Sequence, residues 1–172
     1  MKDLLKGKWM GHPLHPPMVH LPVGLWIGAL IFDVLSQFGD GSNVFVQISF
    51  YAIAVGVLVA LAAILPGLAD WWDMKSSPAI FKLGVLHMIF NGLSLVLWST
   101  NLVLRVSTYQ TAESVAILPL SLSVVAAIAL GVSGYLGGRM VYEEGLSVAD
   151  MSQKMWKQIA KDGGAPVPAK EK

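Results

Sequence analysis

Cysteine is absent from the 172 residues. That excludes a disulfide framework, thiolate zinc and iron–sulfur centres, and covalently attached c-type haem. Charge is the second shortage. Asp, Glu, Lys and Arg make up 13% of the chain, against roughly 25% in an ordinary soluble domain. A water-soluble globule of this size would lack a charged surface. Nor is there an excess of one sign: 12 basic residues face 11 acidic ones, too balanced for a surface that neutralises nucleic-acid phosphates. Phosphate-cradling glycine loops, G-x-S-x-G and H-E-x-x-H are also missing, which removes the commonest nucleotide, serine-hydrolase and zinc-protease signatures. What the chain does have is apolar residues, 55% of the total, and a mean hydropathy of +0.62. The expectation is a single membrane domain.

Four apolar segments are each long enough to cross a bilayer core, which takes about 20 helical residues. They run over about 18–38, 44–68, 80–106 and 115–140. Turn chemistry separates them: Gly39-Asp40-Gly41-Ser42-Asn43, Lys75-Ser76-Ser77-Pro78, and the polar stretch from Ser107 to Ser114. Such short links predict antiparallel neighbours. The fold expected is therefore all-α, a polytopic antiparallel four-transmembrane-helix bundle. Residues 1–17 form a His/Pro-rich cytoplasmic segment without an apolar signal region, so the first span is expected to serve as its own insertion signal. After the fourth span, Val148, Met151, Met155, Trp156 and Ile159 recur at helical spacing between lysines. This predicts an amphipathic cytoplasmic helix over 141–161, on the membrane surface or against a soluble partner, then a flexible tail over 162–172.

Basic residues predict the orientation. Lys2, Lys6, Lys8, Lys75, Lys82, Arg139, Lys154, Lys157, Lys161, Lys170 and Lys172 fall on one side of such a bundle, and Arg105 alone on the other. The positive-inside rule places both termini in the cytoplasm.

Polar residues within lipid are costly and tend to face the bundle interior, so each is a candidate for function. Near the cytoplasmic ends lie His20, Asp70, Asp73, His87, Asn91 and Arg139, with His12 and His15 just before the first span. All four histidines thus gather towards one face. Asp33 stands apart at the far end, at the depth of Asn101 and Arg105, which predicts an ion pair or hydrogen bond joining spans one and three in preference to a proton path. Gly24-x-x-x-Gly28 and the small-residue stripes through Gly56 and Gly67 and through Gly131, Gly134 and Gly138 predict close helix packing. The glycines beside His20 also leave room for a flat cofactor. Trp71 and Trp72 fit an interfacial aromatic belt.

The histidines admit three uses. His20 and His87, on different spans at nearby depth, offer two imidazoles to a non-covalent haem, with Asn91, Arg139 or a tryptophan to orient a ligand or meet a propionate. His12, His15, His20 and His87, with Asp70 or Asp73, offer nitrogen and oxygen donors to a divalent metal ion. Alternatively, hydrogen bonds from these groups only tie the helices together. His12-Pro13 and His15-Pro16 predict extended backbone, so a cap over the bundle is preferred to ligation for that pair. A lone four-span chain without an internal repeat is a poor transporter, although a homo-oligomer could transport.

Several motifs occur in a familiar order: Gly11-His12-Pro13-Leu14-His15-Pro16, Val19-His20-Leu21-Pro22-Val23-Gly24-Leu25, Pro66-Gly67-Leu68-Ala69-Asp70-Trp71, His87 with Asn91, and Gly134-Tyr135-Leu136-Gly137-Gly138 before Val141-Tyr142. From Gly11 to about Val148 the chain closely resembles a bacterial membrane family known as domain of unknown function 2231. The resemblance implies a four-span membrane domain. Some members resemble parts of larger chains with Rieske-type or cytochrome domains, which implies a redox setting and favours haem over a bare metal. Carried over by motif, His12, His15, His20, Asp70, His87 and Asn91 form the implied site.

Together these observations predict a protein of the bacterial cytoplasmic (inner) membrane that binds haem b near the cytoplasmic face. His20 and His87 are the expected ligands, with Asp70 and Asn91 as orienting groups, in electron transfer or redox-complex assembly. A separate redox protein would be its partner. The alternatives are a divalent-metal binding or transport protein and a non-redox scaffold.

Overall fold

The computed structural model describes residues 2–7, 9, 11–38, 43–73, 78–146, 158 and 161–163. Among these the ordered elements are helices: α1 (Lys2–Leu5), α2 (His15–Leu35), α3 (Asn43–Asp73), α4 (Pro78–Arg105) and α5 (Ile117–Tyr142). Helices α2 to α5 are each long and apolar enough to cross a membrane, and they coincide with the four expected spans. Most of the amphipathic helix expected over 141–161, and the tail after Gly163, lie outside the described residues.

The first span begins earlier than expected, at His15 instead of Met18. Pro16 and Pro17 occupy the opening turn, where a missing N–H costs nothing because those donors have no partner within the helix. The extended backbone expected at His15-Pro16 is therefore not found. His15 opens the helix, with consequences for the site.

Each spanning helix buries a narrow stripe whose members alternate three and four residues apart. In α2 it comprises Pro22, Trp26, Ala29 and Asp33, continued by Ser36. In α4 it comprises Gly84, Ser94, Trp98, Asn101 and Arg105, with half-buried His87 and Asn91 in the same register. In α5 it runs through Pro119, Ser123, Ala126, Leu130, Ser133 and Met140. A repeat averaging 3.5 residues keeps one seam facing its neighbours in an antiparallel bundle of small crossing angle. Helix α2 packs chiefly on α3 and α4 chiefly on α5, and lesser contacts of α3 with α4 and of α2 with α5 close the ring.

The seams are small and polar, whereas Leu21, Ile31, Leu58, Leu65, Val96, Val103, Ile117 and Ile128 point outward. This distribution suits a bilayer, where apolar surface gains nothing by burial and close packing with interhelical hydrogen bonds holds helices together. At mid-height, Trp26 and Trp98 stack with ring centroids 5.8 Å apart at 17°, surrounded by Ala29, Ile53, Ala126 and Leu130. This dry plug separates two polar layers. Below it, the N-terminal segment folds back so that α1 touches α3. Gly7 takes a left-handed φ of +72°, and a Cβ there would lie 2.3 Å from the carbonyl oxygen of His12.

Candidate functional site

The polar layer at the Asp33 end is centred on one buried carboxylate. Asp33 and Arg105 form the expected pair between spans one and three, with Nη1–Oδ1 at 2.6 Å and Nη2–Oδ2 at 2.7 Å. Ser49 donates to Oδ1, Ser123 donates to Oδ2 at 2.5 Å, and Arg105 also donates to the Ser49 hydroxyl at 3.0 Å. All four spanning helices thus meet on one carboxylate, and Asp33 and Arg105 are 0% and 3% exposed. Asn101 donates to Ser123 and to the Pro119 carbonyl, at 2.7 and 2.9 Å. A forked ion pair with its acceptor oxygens saturated is a structural clamp.

The layer at the opposite end is built from the two histidines that share the buried stripes. His15 lies one full set of three- and four-residue steps back from Asp33 (33, 29, 26, 22, 19, 15), so it faces inward. His20, five residues further on, is rotated by about 140° and points out. It is exposed, and its Nδ1 bonds to the Pro16 carbonyl at 2.6 Å. The expected pairing of His20 with His87 is therefore not formed. His87 instead meets His15, edge to face, with ring centroids 6.5 Å apart at 87°.

The two imidazoles are mounted alike. His15 Nδ1 bonds to the Ala63 carbonyl of α3 at 3.0 Å, and His87 Nδ1 to the Ser133 carbonyl of α5 at 2.8 Å. A carbonyl only accepts, so each Nδ1 carries the proton and each Nε2 keeps its lone pair. Ser133 reinforces the mount by donating its hydroxyl to the His87 carbonyl at 3.1 Å. Pro66 has no N–H to offer the carbonyl four residues back, that of Ala62; the neighbouring Ala63 carbonyl, which holds His15, is in register with the N–H of Gly67.

Both rings lie over glycine. A Cβ at Gly67 would come within 2.8 Å of His15 Cε1, and one at Gly137 within 3.1 Å of His87 Cε1. The glycines of the PGLADW and GYLGG motifs thus make room for imidazoles. Gly24, Gly28, Gly131 and Gly134 behave differently: an added Cβ at any of them meets nothing within 4 Å, so the expected close helix packing is absent there among the described residues.

Of the other expected residues, Asn91 reaches the site directly, with Nδ2 2.9 Å from His87 Nε2. Half-buried Asp70 lies one turn beyond Gly67 on the same side of α3. Arg139 turns instead to Glu143 on its own helix, with Nε–Oε2 at 2.7 Å and both side chains open to solvent. His12 is exposed, ahead of α2. Among the described residues no three His, Asp or Glu side chains gather as a metal cluster, so the four-histidine set is not assembled. Ser133, Ala63, Gly67 and Gly137 were not expected as site residues. The signal that could have found Gly67 and Gly137 is their place on the buried stripes opposite a histidine.

The fold and these polar layers define a multi-pass membrane protein that lies in a lipid bilayer. Residues 11–150 match the family model described as "Predicted membrane protein (DUF2231)", and the chain belongs to that family. Comparisons with curated proteins and with solved structures gave no match.

Proposed function

We propose that this protein binds a redox-active metal centre through the His15–His87 pair, in electron transfer or redox-complex assembly. The observation that carries this reading is the contrast between the two polar layers. Both oxygens of Asp33 are taken up by Arg105, Ser49 and Ser123, whereas the histidine layer is half-buried, lies near the bundle end, and leaves the lone pair of His15 Nε2 without a hydrogen bond among the described residues. An imidazole held through Nδ1–H by a carbonyl is the usual form of a metal-ligating histidine, because the mount fixes both tautomer and ring orientation.

The residues do not fit a haem clasped between His20 and His87, since His20 lies on the outer face. A porphyrin between His15 and His87 fits no better, with the rings edge to face at 6.5 Å. A single transition-metal ion needs no flat slot and is the favoured occupant. Haem b on His15 alone is the second reading, supported by the open Nε2. Either centre would supply reversible one-electron chemistry.

Protein purified from cells supplied with haem precursor and trace metals should carry about one metal ion per chain by mass spectrometry. His15→Ala and His87→Ala should lose it, while His20→Ala should keep it. A Soret band that shifts on dithionite and vanishes in His15→Ala would decide for haem. Colourless, metal-free protein would sink both.

The site is proposed to face the cytoplasm of a bacterial cell, following the lysine distribution. Because the chain lacks cysteine, single cysteines report topology cleanly. Gln110→Cys should react with a membrane-impermeant maleimide on intact spheroplasts, and Glu144→Cys only after lysis. The opposite pattern would invert the orientation.

A further inference from the structure

His15 and His87 have matching mounts but differ at the nitrogen that would meet an ion. His15 Nε2 is open, while His87 Nε2 accepts the amide N–H of Asn91 at 2.9 Å. Asn91 lies one turn further along α4, so the two side chains share a face. Donor and acceptor are assigned by the far side of the ring: Nδ1–H is committed to the Ser133 carbonyl at 2.8 Å, and only Nε2 has a lone pair for the amide. A group that orients a ligating imidazole holds the ring nitrogen facing away from the ion. On His87 that duty belongs to Ser133. Asn91 holds the ligating nitrogen itself.

We propose that Asn91 is a gate on His87, an internal competitor that must withdraw its amide before His87 can join His15 on an ion. This inference rests on the imidazole-site reading above. The ring of His87 is pinned from two directions, by its Nδ1–H on the Ser133 carbonyl and by the close approach of Gly137. The asparagine has two free side-chain torsions, so the amide is the part able to move. With the gate shut, the site offers one imidazole. With it open, it offers two, and a soft or borderline ion such as Cu(II) then gains its second nitrogen.

The test is a Cu(II) titration of the purified full chain in detergent, read by EPR, where nitrogen hyperfine structure counts imidazoles. Asn91→Leu keeps similar bulk without a donor, and Asn91→Ala is the smaller variant should leucine pack poorly. Removing the competing hydrogen bond should tighten Cu(II) binding about three- to tenfold, with a two-nitrogen signal at lower Cu(II) than in the wild type. Adding His87→Ala to Asn91→Leu should abolish the gain. If both Asn91 variants bind Cu(II) as well as or more weakly than the wild type, Asn91 is not a gate, and the metal-site reading stands without it. If the wild type and both variants bind no better than a His15→Ala/His87→Ala double variant, the site reading fails and the gate with it.

Discussion

Arg105→Ala should be the most damaging single change in the bundle, lowering stability by about 3–5 kcal/mol. Asp33 would keep its place at 0% exposure and its two serine donors, but it would lose the cation that neutralises it. The cost comes from a carboxylate buried without a counter-charge, more than from the lost attraction. Two comparisons check this cause. Arg105→Lys retains the charge but not the fork that meets both carboxylate oxygens, so it should fall between wild type and alanine. Replacing both partners, as Asp33→Leu with Arg105→Met, removes the buried charge altogether and should cost much less than Arg105→Ala alone. Unfolding in mixed micelles titrated with SDS would read all three. A double variant less stable than Arg105→Ala would contradict the argument. The metal binding proposed above should be unchanged in folded Arg105→Lys protein, because the tryptophan plug separates this layer from the histidines.

Gly56→Ala should give the second large effect, a loss of about 1–3 kcal/mol by overpacking. A Cβ there would lie 2.4 Å from Trp26 Nε1 and 2.7 Å from its Cδ1. The indole has little space into which to retreat. It is stacked on Trp98, which is fully buried, and it donates to the Ile53 carbonyl at 3.4 Å. Pushing it aside breaks the aromatic stack that fills the middle of the bundle. Gly131→Ala is the matching control. A Cβ at Gly131 meets nothing within 4 Å, and alanine is the better helix former, so this change should be neutral or slightly stabilising. The same micelle titration, with near-ultraviolet circular dichroism to follow the tryptophans, separates the two. Equal effects at Gly56 and Gly131 would show that helix propensity and not the indole contact governs the position.

The two polar layers differ in how much of them could be read from the chain. The clamp was legible because Asp33 and Arg105 are rare charges in long apolar runs, at matching depth on spans one and three. Opposite charges in lipid have few alternatives to each other. The histidine pair was legible only by half. Depth along the chain selects His87 and Asn91 but cannot choose between His15 and His20, which both lie near the same membrane face. The choice depends on rotation about the helix axis. Stepping back from Asp33 along the buried stripe reaches His15, but that count requires the helix to continue through Pro16 and Pro17. The bias of residues before proline against helix pointed the other way. Here the prolines fill the first turn, and the helix is long enough to carry His15 inward.

The stripes of small residues show the same division. Glycine spacing alone signals close approach, and three different outcomes share that signal. Gly56 receives an indole, Gly67 and Gly137 receive imidazoles, and Gly24 faces outward with nothing within 4 Å of an added Cβ among the described residues. What a glycine admits is a property of the opposite helix, so no pattern within its own helix can reveal it.

The amino-acid sequence by itself determined the membrane, the four spans and the charged clamp, because hydropathy, length and scarcity of charge act locally or leave one partner. The tertiary structure alone decided that His15 and not His20 meets His87, that Arg139 turns to Glu143, and that Asn91 bonds to His87 Nε2. Each of these depends on the rotation and register of packed helices, and a rotation of less than half a turn exchanges an inward histidine for an outward one.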